Sequence, residues 1–417
     1  MAPSSRSQGI VKLAALSRLL SVTLSFFSVF GLTEVVERSS IVVKDINLDS
    51  FVDILIAAHG QWDSLHFLNI ATRGYDSVLA HAFLPGLPLI MRTLSAVIPF
   101  GPSDPVRKLA LMGFIFVNVS FVVAAVGLYK LSCLVLRDES KSFRATLFFI
   151  FTSASPFMSA LYTESPFAMF TFWGLYWLVG RTDFLRGSLL LSCAALLRSN
   201  GFLGIIFVVW FGFIKNRQYV VETLLGSLAI YLPYYLYSTW SKNMYCDVPS
   251  PAEWCETNDT IYGYVQKTFW RVFPFGYYRL RNIPQFLLMT PALIVCVFTL
   301  IYFIGDNVNK ATSRAISDPK NCSIKAKTKS FFHFIRFLVF DCWETPYVAQ
   351  LWVLTLLTLF VANVNILTRL VVSCPIFFWT AERLIRGGSF WGKTVLVSQM
   401  VFAVIGPVLH SAGLNWT

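Results

Sequence analysis

Residues 109–136 form an apolar stretch that contains a single charged side chain, Lys130. An α-helix of about 20 apolar residues is enough to cross the hydrocarbon core of a bilayer, and this stretch is longer. The whole chain is 56% hydrophobic and 13% charged, whereas soluble domains carry about 25% charged residues. The sequence therefore predicts an all-α polytopic membrane protein, in which residues 1–417 form a single multi-spanning domain.

The N-terminal segment predicts the orientation of the chain. A basic start leads into an apolar run at 13–32, and no small-residue cleavage site follows it. This pattern is typical of an uncleaved signal anchor. Because basic residues beside a membrane span tend to stay in the cytosol, we expect a cytosolic N-terminus and a lumenal end of the first span.

Charge also predicts the side on which each long loop lies. The loop 35–106 holds seven acidic and four basic residues, a balance that is tolerated on the lumenal side. Core transmembrane helices are then expected in 109–240, a second lumenal loop at 241–283 and C-terminal helices in 284–412, which gives about eleven crossings. Prolines and an arginine interrupt the apolar stretch 81–100, so we expect it to lie along the membrane surface.

Two polar segments divide the core helices. Residues 162–165 read YTES and residues 198–201 read RSNG, and each lies between apolar stretches. If the helices are short and end at these segments, both segments face the lumen together with the first lumenal loop. The stretch 145–161 is then a crossing of its own. If 187–214 were one continuous helix, YTES and RSNG would no longer be predicted to face the lumen together.

The loop 241–283 contains two cysteines, Cys246 and Cys255, and the sequon Asn258-Asp259-Thr260. A lumenal position permits both a disulfide and a glycan. Two free thiols and an empty sequon are the alternative that the sequence leaves open.

Glycosylation tests the predicted topology. Asn258 lies in a loop expected in the lumen, whereas the second sequon, at Asn321, lies in 306–345, where seven bases and four acids predict a cytosolic position. We therefore expect a glycan on Asn258 and none on Asn321. Endoglycosidase shifts of variants that keep one sequon would measure this, and a glycan on Asn321 alone would contradict the topology from residue 241 onward.

The net charge of +12 is spread over many short loops, so it predicts topology rather than nucleic-acid binding. The chain has no CxxC pair and no histidine pair with the spacing of metal ligands. We therefore expect no metal site and no resident cofactor.

The segment GQWDSLHFLNIATRGY, residues 60–75, interleaves polar and apolar side chains. Asp63 follows Trp62 there, and a carboxylate beside an aromatic ring on an interfacial helix could act as a general base. The alternative is an acid on a wetted helix face. His66 lies on the same helical face as Asp63, where it either orients the carboxylate or is a plain interfacial histidine.

Polar groups at membrane depth are expensive, which makes them functional candidates. Glu164 of YTES lies between two apolar helices, where it either has such a role or complements the dipole of the next helix. Arg198 and Asn200 of RSNG could hold a phosphate, or the arginine snorkels beside a glycine that ends the helix. Arg369, between two late spans, could likewise hold a phosphate or snorkel towards the membrane surface. Snorkelling is the preferred interpretation for this residue.

Several segments, in order, resemble blocks of the PIG-V family. They are QWDSLHFLNIATRGY, AFLPGLPLIMR, YTESPFAMFTFWG, LLRSNGFL, IPQFLL, LTRLVVSCPIFFW and the final NWT. The chain departs from the family pattern where it has Leu84 and Gly86 in place of aromatic residues, Gln285 in place of asparagine and Asn415 in place of proline. These departures concern local packing more than activity.

The resemblance implies an endoplasmic-reticulum enzyme of GT-C architecture with a lumenal active site. Such an enzyme transfers the second mannose, in α-1,6 linkage and with inversion, from dolichyl-phosphate-mannose to the mannosyl-glucosaminyl-phosphatidylinositol intermediate of GPI-anchor biosynthesis. Asp63 occupies the position of the acidic base in the first lumenal loop, and Arg198 is the first choice to stabilise the leaving phosphate. The other candidate substrate-binding residues are Trp62, His66, Glu164, Asn200 and Arg369.

The expected partners are the two lipid substrates and the membrane. The sequence leaves open an accessory subunit, a GT-C transferase with a different acceptor, a polytopic transporter and a purely structural subunit. A transporter would show internal symmetry and paired broken helices at the bilayer midplane. The polar segments cluster at one predicted face and the chain shows no repeat, so an enzyme is the preferred interpretation.

Overall fold

A computed structural model describes residues 5–32, 50–180, 182–257, 259–316, 337 and 342–414. Within these ranges the regular structure is helical, without strands. In chain order the α-helices are α1 Ser5–Leu32, α2 Phe51–His59, α3 Asp63–Arg73, α4 Gly86–Val97, α5 Pro105–Leu136, α6 Glu139–Ile150, α7 Glu164–Gly180, α8 Phe184–Leu197, α9 Gly204–Val209, α10 Val220–Cys246, α11 Ile261–Trp270, α12 Ile283–Ile316, α13 Thr345–Phe360, α14 Leu367–Val371, α15 Pro375–Arg386 and α16 Phe390–Ser411. This confirms the predicted all-α class.

Long apolar helices confirm a polytopic membrane protein. Among the described residues, four helices (α1, α5, α12 and α16) are long and apolar enough to cross a bilayer. A fifth span results if Val364–Val371 and α15, which meet at 94°, are counted as one broken span. The predicted count of eleven crossings is not confirmed, because other predicted spans correspond to shorter apolar helices such as α8 and α13.

The predicted crossing at 145–161 is not confirmed, because the stretch does not form one helix. Helix α6 ends at Ile150, and the chain continues through a 3-10 turn at Ser155–Met158. Two local features end the helix: Pro156 lacks an N–H group, and the hydroxyl of Thr152 accepts a hydrogen bond from the backbone N–H of Ala154 at 3.3 Å. Twelve helical residues reach about 18 Å, which is shorter than the hydrocarbon core.

The predicted break at RSNG is confirmed. Helix α8 ends at Leu197, and Arg198 is extended, with φ −145° and ψ 140°. The chain resumes as a 3-10 turn at Ser199–Leu203 and then as α9. The stretch 187–214 is therefore not one continuous helix, so the side chain of Arg198 is free to turn back towards α7.

A short helix occupies part of the stretch predicted to lie along the membrane. Helix α4 starts at Gly86, where a Cβ atom would stand 2.7 Å from the carbonyl oxygen of Leu196. A glycine is required at this close approach between α4 and the end of α8. Helix α4 buries Leu87 and Met91 and exposes Leu89, and its position on the membrane surface stays a prediction.

A buried arginine of the first helix holds the turn that precedes YTES. The guanidinium of Arg18 donates to the carbonyl oxygen of Ser155 at 3.0 Å and to the hydroxyl of Ser159 at 2.9 Å, and it stacks on the ring of Phe121 at 3.9 Å. The amide of Asn118 donates to the carbonyl oxygen of Ser159 at 3.1 Å. These contacts fix the start of α7 against α1 and α5.

The second predicted lumenal loop is closed by a disulfide between Cys246 and Cys255, so the alternative of two free thiols is wrong. Helix α11 of this loop approaches RSNG, because the hydroxyls of Ser199 and Tyr262 lie 2.8 Å apart. The sequon residues Asn258 and Asn321 lie outside the described residues.

Candidate active site

Four charged side chains from distant parts of the chain meet in one cluster, which we call the charge cluster: Asp63, Glu164, Arg198 and Arg369. Arg369 Nε donates to Glu164 Oε1 at 2.6 Å, and its Nη2 donates to Asp63 Oδ2 at 2.9 Å. Arg198 Nη1 lies 2.6 Å from the same Glu164 oxygen. The cluster thus joins residues from three polar segments of the sequence, QWDS, YTES and RSNG, and from the LTRL segment.

Burial differs sharply across the charge cluster. The side chain of Glu164 is fully buried, those of Arg198 and Arg369 are 15% exposed, and that of Asp63 is 32% exposed. Two carboxylates and two guanidinium groups give a neutral cluster, as buried charges require. Asp63 is therefore its most accessible member and the one best placed to meet a substrate.

Local sequence explains how each charge reaches the cluster. Asp63 and Glu164 open α3 and α7, where acidic groups suit the helix dipole. Arg198 follows the end of α8 and also donates to the hydroxyl of Thr163 at 3.2 Å. Arg369 lies on the five-residue helix α14, ahead of the sharp bend into α15. The interpretation of Arg369 as a snorkelling arginine is wrong, because its guanidinium is turned into the protein.

Aromatic rings surround the charged groups. The guanidinium of Arg369 lies 4.8 Å from the ring centre of Phe157 and 4.9 Å from that of Tyr162, which are cation–π distances. The hydroxyl of Tyr162 accepts a hydrogen bond from the backbone N–H of Asp63 at 3.2 Å, and His410 packs edge-on against both rings. Sequence reasoning noted the YTES segment but missed the role of its tyrosine.

Trp62 occupies a strained backbone position just before Asp63. It has φ 56° and ψ −125°, and the N–H of Ser64 donates to the carbonyl oxygen of Gln61 at 3.2 Å. These values match the first central residue of a type II′ turn, where glycine is preferred. Trp62 is nevertheless 42% exposed. Strain held at an exposed aromatic residue is typical of a functional site.

A pair of substitutions separates the backbone strain of Trp62 from its indole. Both Trp62→Gly and Trp62→Ala remove the ring, but only glycine tolerates φ 56° without strain. We expect the glycine variant to be the more stable of the two by roughly 1 kcal/mol or more, and both variants to lose activity. Thermal unfolding in detergent measures the difference, and equal stability would contradict strain at this position.

The remaining predicted residues lie around the charge cluster. The ring of His66 stacks on Phe83 with centres 4.7 Å apart. Burial lowers the pKa of His66, and the negative charge of Asp63 offsets part of that change. Asn200 is half-buried in the 3-10 turn after Arg198. Neither residue reaches the charge cluster through a hydrogen bond within the described ranges.

A cavity of about 430 Å³ opens elsewhere in the molecule. Its walls include Asp306, Trp379 and Arg383 and contain no member of the charge cluster. Arg383 is held there by Asp306 in two hydrogen bonds and stacks on Tyr302. The charge cluster, where a partly exposed carboxylate and two guanidinium groups meet, is the candidate active site.

The described residues contain no group of three or more His, Cys, Asp or Glu side chains arranged to hold a metal ion. The apolar helices and the charge cluster define a polytopic membrane protein with a charged site between its helices. A family model described as mannosyltransferase (PIG-V) matches residues 7–396. The chain belongs to this mannosyltransferase family.

Curated relatives agree with the family. The protein named GPI alpha-1,6-mannosyltransferase 2 of Rattus norvegicus is 30% identical over 294 residues, covering 60% of this chain and 59% of the rat protein. Proteins of the same name from Cricetulus griseus and Homo sapiens are 27% and 28% identical, covering 82% and 81% of this chain and 76% and 75% of their own lengths. The chain is similar to these proteins along most of its length.

Proposed function

We propose that this chain is an inverting mannosyltransferase. It would add the second mannose of the GPI anchor, in α-1,6 linkage, from dolichyl-phosphate-mannose to the mannosyl-glucosaminyl-phosphatidylinositol intermediate. The names of its relatives support this function. The observation that carries it is the charge cluster, in which an accessible carboxylate lies 2.9 Å from a guanidinium, since this reaction needs a base and an anion-stabilising group side by side.

The charged groups of the charge cluster suit a direct displacement of the donor's phosphate by the acceptor hydroxyl. The acceptor hydroxyl gives its proton to Asp63 while its oxygen forms a bond to the anomeric carbon of mannose. The bond from that carbon to the phosphate oxygen breaks, and its electron pair leaves with dolichyl phosphate. A general base in such a step contributes roughly 10²–10⁴-fold to the rate. The leaving group is a phosphate, so cationic stabilisation by arginine replaces protonation.

Arg369 belongs to the bent pair Val364–Val371 and α15, which together are long and apolar enough to cross a membrane, and this suits two lipid substrates. We propose that the enzyme resides in the endoplasmic-reticulum membrane with its N-terminus in the cytosol and Asp63 on the lumenal side. Trp62, exposed at the edge of the charge cluster, would contact one of the substrates. A GT-C transferase with another acceptor is the second candidate, and it shares every feature of the site described here.

Complementation tests the acceptor. Cells that lack the second GPI mannosyltransferase accumulate the intermediate with one mannose, and this chain should convert it to the intermediate with two. Lipid extracts analysed by mass spectrometry report the conversion, and the Asp63→Asn variant serves as the inactive control. Persistence of the one-mannose lipid beside well-expressed wild-type protein would contradict this acceptor, while transfer to a different lipid would favour the second candidate.

We further propose that transfer requires no divalent cation. The leaving group is a lipid monophosphate, and the guanidinium group of Arg369 lies beside the accessible Asp63, where the charge of the phosphate can be stabilised. Microsomal transfer is therefore expected to continue in excess EDTA at the rate measured without it. Loss of transfer that Mn²⁺ or Mg²⁺ restores would contradict this proposal.

A further inference from the structure

We propose that Arg369 exchanges its ion pair with Asp63 for an ion pair with the leaving phosphate, at the moment when Asp63 takes up the acceptor's proton. This inference deepens the function proposed above and rests on it. Arg369 is suited to the exchange because it uses different nitrogens for its two carboxylate partners: Nε for Glu164 and Nη2 for Asp63. The second bond can be lost while the first remains.

The two arginines of the charge cluster differ in what holds them. Arg198 contacts Glu164 and Thr163, whose side chains are both buried. Arg369 contacts the same buried glutamate on one side and Asp63, 32% exposed, on the other. A substrate that reaches Asp63 therefore has to break only one ion pair, that between Asp63 and Arg369, to contact the guanidinium of Arg369. Arg198, the first choice from the sequence, is a positioning residue that helps to hold Glu164 in place.

The charges balance through the exchange. Before transfer the charge cluster is neutral and the donor phosphodiester carries one negative charge. Transfer moves the acceptor's proton to Asp63, which becomes neutral, and gives the departing phosphate a second negative charge. Arg369 thus loses its ion pair with Asp63 in the same step in which the leaving phosphate gains a negative charge. The total charge of the site stays constant, so no ion needs to enter or leave a poorly solvated region.

The surroundings of Arg369 hold it during the exchange. Its Nε bond to Glu164 is 2.6 Å long, and its guanidinium faces the rings of Phe157 and Tyr162. The hydroxyl of Tyr162 also holds the backbone of Asp63 at 3.2 Å. Base and guanidinium are therefore fixed to the same tyrosine, and the freed Nη2 group remains beside the reaction centre.

Binding of the product dolichyl monophosphate to purified protein in nanodiscs tests the exchange without turnover. Asp63→Asn removes the competing negative charge, so this inactive variant should bind the phosphate roughly 3- to 10-fold more tightly than wild type. Arg369→Lys in the Asp63→Asn background should abolish this gain in affinity, because an ammonium lacks the planar fork that can bind Glu164 and phosphate together. Asp76→Asn, an exposed acid of the same loop, should bind as wild type does.

Kinetics give a second measurement that does not depend on the double variant. Arg369→Lys should lower kcat by a larger factor than it raises KM for the donor, since the exchange belongs to the transition state. Binding of the product by Asp63→Asn that is no tighter than by wild type would overturn the exchange while leaving the proposed function intact. Failure of wild-type protein to bind dolichyl phosphate would overturn both.

Discussion

Replacement of Asp63 by asparagine is expected to lower mannosyl transfer at least about 100-fold. Asparagine keeps the size of the side chain and can still accept a hydrogen bond from Arg369, but it cannot take a proton from the acceptor hydroxyl. Transfer would be measured in membranes from rescued null cells, normalised to protein level. A subunit with a purely structural role would instead tolerate this change without loss of activity.

The stability of the Asp63→Asn variant should stay close to that of wild type. Asp63 is partly exposed, and Arg369 keeps its bond to the buried Glu164 when the carboxylate is lost. Loss of a partly exposed ion pair costs little. The protein should therefore accumulate normally, and the loss of activity can be attributed to chemistry.

The choice of control follows from the structure. Asp53 belongs to the same loop, but its side chain is 2% exposed and paired with Arg107 at 2.7 Å, so its replacement would disturb the fold. Asp76 is exposed and accepts hydrogen bonds from the amide of Asn69. Asp76→Asn is therefore the matched control. If Asp63→Asn kept wild-type turnover while Asp76→Asn abolished it, another carboxylate would be the base.

The sequence predicted features that depend on local chemistry. Residues 198–201 end a helix because Asn200 and Gly201 favour a turn, and the break at Arg198 occurs as expected. The helix over 109–136 follows from its apolar content and extends from Pro105 to Leu136. Such features require only the properties of neighbouring residues, so one sequence is enough to find them.

Features that depend on tertiary contacts were harder to predict. Arg369 looked like a snorkelling arginine because the sequence does not show that α14 turns it towards Glu164, 205 positions earlier. The stretch 145–161 was expected to be one crossing helix, but its apolar content concealed Pro156, which lies in a 3-10 turn. Arg18 was also overlooked, since its partners Ser155 and Ser159 lie more than 130 positions away. Hydropathy averages over a window and cannot detect such pairings.

Glu164→Gln is expected to destabilise the protein more than the loss of any exposed acid. One oxygen of Glu164 accepts from both guanidinium groups, at 2.6 Å each, and its other oxygen is buried without a hydrogen-bond partner among the described residues. Glutamine keeps an acceptor but leaves two nearly buried cations opposed by Asp63 alone. Removal of one partner from a buried ion pair costs roughly 3–5 kcal/mol. Thermal unfolding in detergent should show this loss, together with reduced transfer.

Two comparisons separate a charge effect from a general packing defect at Glu164. Glu222→Gln, at an exposed position in the first turn of α10, should unfold at the wild-type temperature. Adding Arg198→Gln to Glu164→Gln restores a neutral cluster, so the double variant should lose less stability than the sum of the two single changes. Additive losses would show that the two residues are not coupled through charge, and unchanged unfolding of Glu164→Gln would show that the buried carboxylate does not hold the arginines.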